Sequence, residues 1–385
     1  MIKIKTLYSY RAECFCFSLS KLVHLCSEII VLPMKVELTQ QSRLKDLDFN
    51  NLPFGKNMSD HMLVCHFKNG VWQEPEIRPY GQLEFSYGLH ALHYGQSAFE
   101  GMKAYRKDNG AVSMFRPLDN FARLNRSAER LMIPQIPQHV FMDGLSKLLE
   151  IDQAWIPKTE DHSLYIRPFV FASSEFIAAR QSDDYTFCII TSPVGPYYNG
   201  TVKVKIEQEF SRAASGGIGY TKAAGNYGGA FYPTSKAIEE GYNQVIWTDH
   251  KEHKYIEESG TMNLMLLVDG VFLTPPLTDR ILAGVTRRSI IQLIKAQGWA
   301  LEERPITVEE LVKAAREGKL QEAFGMGTAA VVSQIDTIGY HGEKFTIPVP
   351  ENGKAMDIKK LLTDIRMGRS EDLYGWMIDL SIGSK

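Results

Sequence analysis

Between Ser192 and Thr201 the chain carries two prolines, two glycines and an asparagine. No helix or central strand sustains that composition, because proline withholds a backbone donor and glycine and asparagine favour turns. The run reads as a linker. It falls near the middle of 385 residues, more than one hydrophobic core usually serves. Two domains are expected, a smaller one over 34–191 and a larger one over 202–385, joined by 192–201.

Periodicity before the linker predicts strands and helices in separate blocks. A strand runs from His61 to Phe67, turns at Lys68-Asn69-Gly70 and returns from Val71. A second hairpin joins Gly101–Arg106 to Ala111–Phe115 through Asp108-Asn109-Gly110. A helix follows from about Leu118 to Leu131, with Phe121, Leu124, Ala128 and Leu131 on one face. Another helix is expected from Phe141 to Trp155, then strands over Ser163–Ala172 and Tyr185–Thr191. After the linker, Val202–Glu207, Gln244–Thr248 and part of Thr261–Val271 read as strands. Thr286–Gln297 reads as a helix with Ile290, Ile291, Leu293 and Ile294 inward, stopped by Gly298. Thr307 and Glu310 form a capping box for a helix to about Glu317, and a last helix begins near Ala355. The class is α+β.

The formal net charge of -2 points away from nucleic acid and anionic membranes and toward small molecules. The five cysteines form no CxxC pair, which suits neither a disulfide framework nor a zinc site and fits a reducing cytoplasm. No apolar run is long enough to span a membrane. Residues 1–33 are cysteine-rich, with Glu13 and Glu28 inside them, and match neither a secretory signal nor an organelle presequence well. The functional chain is expected to begin near Met34, with 1–33 as an extension outside the fold.

Lys222 stands in Gly219-Tyr220-Thr221-Lys222-Ala223-Ala224-Gly225-Asn226-Tyr227-Gly228, among small and aromatic residues. A crowded, apolar setting favours a neutral amine, whose lone pair Schiff-base chemistry needs. A solvated lysine is the ordinary alternative, and the local sequence leaves both open. Glu258 ends a strand beside Gly260, suited either to turn chemistry or to a ligand contact. Gly284-Val285-Thr286 stands before a helix, and Gly325-Met326-Gly327-Thr328-Ala329-Ala330 is a glycine-spaced turn. Both can offer amides and a hydroxyl to a phosphate, or serve as a plain helix cap and β-turn. Arg123 can add a fixed positive charge, or be a surface arginine as Arg126 and Arg130 are expected to be. Tyr165 and Arg167 alternate on one strand and share a face. With Tyr94, Phe99 and Tyr197 they suit a pocket wall or an ordinary aromatic core. His90/His93 and His250/His253 lack the cysteines or carboxylates to complete a metal site, so no metal is expected. Walker A, GxGxxG and GxSxG patterns are absent.

Taken in order, these segments resemble the branched-chain amino acid aminotransferases of the fold-type IV pyridoxal phosphate enzymes. The resemblance runs from about Phe49 to the C-terminus. It is carried by Leu92-His93-Tyr94, Phe99-Glu100-Gly101, Phe115-Arg116-Pro117 leading to Arg123, and Tyr165-Ile166-Arg167-Pro168. It continues through Ser192-Pro193-Val194-Gly195-Pro196-Tyr197, Gly225-Asn226-Tyr227-Gly228 and Glu258-Ser259-Gly260-Thr261-Met262-Asn263. Gly284-Val285-Thr286-Arg287 and Gly325-Met326-Gly327-Thr328-Ala329 complete it. It implies a two-domain fold like that of the D-amino acid aminotransferases, and amino transfer from leucine, isoleucine or valine to 2-oxoglutarate. Lys222 is implied as the residue that binds pyridoxal 5′-phosphate as a Schiff base and carries the proton. Glu258 is implied at the pyridine nitrogen, where an acid keeps the ring an electron sink, and Tyr227 at the phenolic oxygen. Arg123, Val285, Thr286 and Thr328 are implied at the phosphate. Tyr94, Phe99, Tyr165, Arg167, Tyr197, Thr261 and Ala329 are implied around the substrate, with Tyr94 assigned to the partner subunit of a homodimer.

Some relatives carry a redox CxxC pair after the Gly-Thr turn, whereas this chain has Ala330 and Ser333 there. A thiol switch at that turn is therefore not expected. Nearest among the alternatives are a D-amino acid aminotransferase and an aminodeoxychorismate lyase. The Glu-Ser-Gly-Thr-Met-Asn turn and the Tyr-Ile-Arg-Pro strand argue against both. Intact Lys222, Tyr227, Glu258 and Arg123 argue against an inactive regulatory protein that binds the cofactor. A lysine-dependent aldolase without the cofactor leaves the phosphate segments without a role.

Overall fold

The computed structural model describes residues 34–198 and 200–380. The extension over 1–33 lies outside the described residues. Two sheets carry the fold. The first has ten strands, among them His61–Lys68, Tyr185–Val194, Ser163–Ala172, Met102–Arg106 and Val112–Phe115 side by side. Ser97–Phe99 pairs antiparallel with Ser163–Ala172 at its edge. The second has nine strands. Its order runs Ile256–Ser259, Gln244–Thr248, Val202–Ile206, Val331–Tyr340, Leu320–Gly327 and Met262–Val268, and the last of these pairs back with the first, closing those strands into a ring.

Each sheet buries its apolar face under helices. Pro117–Arg130 and Gln138–Ile151 lay Leu124, Ala128, Phe141, Leu145 and Leu148 over the first sheet. Val308–Arg316 covers part of the second. Val285–Ala296 and Lys354–Met367 build a further cluster that takes in Tyr105 and Phe115 from the first sheet. The strand Met377–Asp379 also returns to the first sheet, pairing with Val112–Phe115. That strand thus joins the first sheet, although its number falls in the expected larger region 202–385.

Most expected elements lie within a few residues of their places, and the differences have local causes. The strand from Tyr185 continues to Val194, three residues into the proline-containing run. Pairing with His61–Lys68 reaches Ile189, so Pro193 sits where its strand has a ladder partner only on the Ser163–Ala172 side, the setting that tolerates proline. The helix expected over 141–155 is Gln138–Ile151 followed by a separate 3-10 turn, Gln153–Trp155. Between them Asp152 is buried and accepts from the His61 backbone at 3.0 Å, with the His61 ring at 2.6 Å. Half of the capping box forms. Thr307 Oγ1 accepts from the Glu310 amide at 3.0 Å, but the Glu310 carboxylate is taken by Arg304 at 2.6 and 3.0 Å.

Candidate active site

Lys222 lies at the seam between the two sheets. Its amide donates to Ser127 Oγ at 2.9 Å and its carbonyl accepts from the Phe99 amide at 3.1 Å. Ala223 bridges Ala98. The segment is thus laid along the edge strand Ser97–Phe99, which fixes where the side chain emerges. Lys222 Nζ donates to Tyr227 Oη at 2.8 Å and stands 4.8 Å from the centroid of the Phe99 ring. The short helix Gly225–Gly228, one turn beyond the lysine, carries Tyr227 back to it.

The amine opens into a cavity of about 690 Å³. Glu258 is 5% exposed at one side of it. Its carboxylate faces Arg212 at 2.8 Å and accepts from Asn263 Nδ2 and the Leu282 amide, both at 3.1 Å. Burial pushes the Glu258 carboxyl up, against the pull of Arg212 and the Leu282 amide.

At another side the helix Val285–Ala296 begins. Its N-cap is Gly284, which has no side chain to cap the first turn, and Val285 and Thr286 line the cavity. A Cβ on Gly284 would collide with Asn263 Oδ1. Glycine there lets the helix start close to the residue that orients Glu258, and leaves first-turn amides free for an anion. Thr328 and Ala329 line the same cavity from the turn after Leu320–Gly327.

Arg123 also lines this cavity, 6% exposed. Its Nε and one terminal nitrogen grip Glu100 at 2.6 and 2.8 Å, and the other terminal nitrogen donates to the Ala283 carbonyl at 3.0 Å. Three of the five N–H donors of a guanidinium are thus used, leaving two for an anion. Glu100 is fully buried and also accepts from Asn120 Nδ2 at 2.8 Å. Burial works to raise the Glu100 carboxyl, but Arg123, Lys222 and Asn120 outweigh it and hold the group below the ordinary carboxylate range.

The remaining wall is aromatic and carries a cation. Phe99, Tyr165, Arg167, Tyr197 and Thr261 line it, joined by Phe54. Phe54 meets the rings of Tyr165 and Tyr197 edge-on, each at 4.9 Å. Arg167 donates to Tyr165 Oη at 3.1 Å and stacks 4.7 Å over Phe99. Its Nε is buried without a partner among the described residues. Gly101 makes room for the Tyr165 hydroxyl, which a Cβ at that position would strike.

Every candidate residue from the sequence therefore reaches this cavity except Tyr94, whose hydroxyl donates to the Ile177 carbonyl and which is 42% exposed outside it. The residues that sequence reasoning missed are partners of those it found. Glu100 and Arg212 are ion-pair partners, and no spacing rule reveals those pairings. Phe54 lies in an irregular segment with no periodicity. Ala330 and Ser333 close the turn without thiols, and the free cysteines among the described residues, Cys65 and Cys188, are buried in the first sheet. No metal-binding cluster occurs among the described residues, and no described helix is long and apolar enough to cross a membrane.

Comparison with known proteins agrees with this geometry. A family model described as amino-transferase class IV matches residues 97–338. The chain is 42% identical over 353 residues to a probable branched-chain-amino-acid aminotransferase of Staphylococcus epidermidis, covering 90% of this chain and 98% of the relative. It is 40% identical over 342 residues to branched-chain-amino-acid transaminase 1 of Bacillus subtilis, covering 86% and 95%. The solved branched-chain amino acid aminotransferase from Escherichia coli superposes with a TM-score of 0.66 at 27% identity, covering 84% of this chain and 99% of that one.

Proposed function

The chain belongs to the class IV aminotransferases, and from that premise we propose that it moves the amino group of leucine, isoleucine or valine to 2-oxoglutarate, with pyridoxal 5′-phosphate held at Lys222. One observation carries the reading. A single cavity holds an amine at Lys222, a buried carboxylate at Glu258, and free helix amides with Arg123 on a further side. Those groups match the aldehyde, the ring nitrogen and the phosphate of that cofactor. When bound, pyridoxal phosphate supplies an electron sink that no side chain offers.

The chain's own residues divide the rest of the work. Lys222 Nζ would hold the cofactor and, as a free amine, is the base that would take the proton at the substrate's Cα. Tyr227 Oη, 2.8 Å from that nitrogen, orients it and would be the group to meet the cofactor's phenolic oxygen. Arg212, Asn263 and the Leu282 amide fix the carboxylate of Glu258, which would pair with the ring nitrogen. Arg123, Val285, Thr286 and Thr328 hold the phosphate.

Two substrate classes must share the pocket. Phe54, Phe99, Tyr165 and Tyr197 give a branched aliphatic side chain an apolar wall. Arg167, with a buried donor unpaired among the described residues, meets the distal carboxylate of glutamate. Thr261 and Ala329 line the same cavity and would lie around the same substrate. The reading includes a homodimer in which Tyr94 completes the partner's site, supported by its exposure beside Leu92 at 75% and Tyr87 at 99%. It also includes a cytoplasmic setting, supported by two free buried thiols.

The test is direct. Purified protein should show the visible absorption of a lysine-bound cofactor and form glutamate from L-leucine and 2-oxoglutarate. K222A should lose turnover while keeping cofactor non-covalently. Full activity in K222A, or colour without glutamate, refutes the reading. Sedimentation at working concentration reads the dimer.

A further inference from the structure

Lys103 lies on the strand Met102–Arg106, directly across from Tyr165, and is 6% exposed. A buried lysine ordinarily has a carboxylate partner. Among the described residues this one has none in ion-pair contact. Its Nζ instead donates to the Ala329 carbonyl at 3.1 Å, more than two hundred residues along the chain. A second buried cation, Arg366 at 4% exposure, stands over the rings of Phe115 and Tyr105 at 4.4 and 5.5 Å. Its Nε has no partner among the described residues. Both side chains line a small cavity whose other walls include Thr286 and Thr328. Burial first, then Arg366, draws the Lys103 ammonium down to about 7, with Lys359 acting the same way and Asp161 opposing.

The turn that Lys103 grips needs holding. Val331, which ends it, has φ of 59°. A β-branched residue rarely adopts that conformation, and it persists only where the surroundings over-determine it. The amides of Thr328, Ala329 and Ala330 make no hydrogen bond to any described residue, and all three residues line the main cavity. Two buried basic groups without a carboxylate partner behind the turn, one of them Lys103 with its charge suppressed by burial, and three unused donors within it call for a negative charge in front of it.

We propose that Lys103 is a positioning residue for the substrate's α-carboxylate, acting through the Thr328–Ala330 turn. The clamp on the Ala329 carbonyl holds the turn's amides toward the cavity, and the charges of Lys103 and Arg366 strengthen what those amides attract. Lys103 does not touch the substrate. The inference rests on the aminotransferase reading for the identity of the ligand and is tested separately from it.

The experiment compares cofactor-loaded wild type with K103M, using two probes that share leucine's side chain. 4-Methylpentanoate keeps the carboxylate and lacks the amine. 3-Methylbutylamine keeps the amine and lacks the carboxylate. Binding of each is read from its perturbation of the cofactor's visible spectrum. K103M should bind 4-methylpentanoate about tenfold more weakly, the scale of one lost charge-assisted contact, and bind 3-methylbutylamine as wild type does. KM for leucine should rise with kcat little changed, and K103R should recover most of the loss. If the carboxylate probe binds within twofold of wild type, or both probes weaken alike, the proposal is overturned. Should K103M not accumulate folded, K103Q, which keeps a donor and removes the charge, carries the same comparison. Wild type that binds both probes but makes no glutamate from leucine would sink the aminotransferase reading while the probes still decide this one.

Discussion

Replacing Glu100 by alanine should destabilise the protein strongly, and the loss should depend on phosphate. Glu100 is fully buried, and its two oxygens accept from Arg123 at 2.6 and 2.8 Å, from Asn120 at 2.8 Å and from the Gly101 amide at 3.0 Å. The alanine variant leaves Arg123 buried and charged, held only by the Ala283 carbonyl. Removing one member of a buried pair costs about 3–5 kcal/mol, because the survivor keeps its desolvation cost without its partner. Solvent screening is weak here, since both side chains are nearly inaccessible. The assay is urea denaturation of cofactor-free protein, with and without inorganic phosphate. Phosphate should raise the midpoint of E100A more than that of wild type, because an anion at the free N–H groups of Arg123 partly replaces the lost carboxylate. The acid side gives a second handle. Glu100 is held below its ordinary value, so it contributes stability that is present above the unfolded carboxyl's pKa of about 4.3 and lost as pH falls through the lower folded value. The gap between wild type and E100A should therefore narrow in strong acid. A loss below about 1 kcal/mol, the worth of an exposed pair, would refute the reasoning.

Two further outcomes follow from the cavity walls. R167M should lose about 1.5–3 kcal/mol of transition-state binding toward glutamate, roughly 10- to 100-fold in kcat/KM, while turnover of leucine stays near wild type; equal losses for both substrates would deny Arg167 its role at the distal carboxylate. Peroxide should not inactivate the enzyme in a thiol-reversible way through the turn after Gly327. Ala330 and Ser333 hold no sulfur, and the thiols of Cys65 and Cys188 are both pushed up to about 12 by burial, so neither is a ready thiolate. Activity lost to peroxide and restored by dithiothreitol, in a way that changes with substitutions at that turn, would show otherwise.

What the sequence revealed and what it hid follow from the range of the forces involved. The helix over Pro117–Arg130 was legible because Leu124 and Ala128 repeat at helical spacing. The alternation of Tyr165 and Arg167 put both on one face, and both line the cavity. Glycine marked places where close approach forbids a side chain, as at Gly101 and Gly284. Registers between distant segments were not legible. Nothing in Val202–Glu207 says that it lies parallel to Val331–Tyr340, or that Met377–Asp379 leaves the second sheet for the first.

The same limit explains the pattern of missed site residues. Each functional group found from sequence carries a local mark, such as a neighbouring glycine, a helix start or strand alternation. Each missed group acts on one of those from far along the chain: Glu100 on Arg123, Arg212 on Glu258, Lys103 on the carbonyl of Ala329. A charge buried in contact with ligand must be balanced or aimed by another buried group, and in a closed ring of strands that group comes from whichever segment the topology brings alongside. Among the described residues Arg167 in the cavity wall and Lys103 behind the turn lack such a protein counter-charge, while Arg123 has one in Glu100. The cavity therefore keeps its cofactor-side cation neutralised and leaves positive charge open along the proposed substrate side, the arrangement expected where the ligand that must come and go is itself an anion.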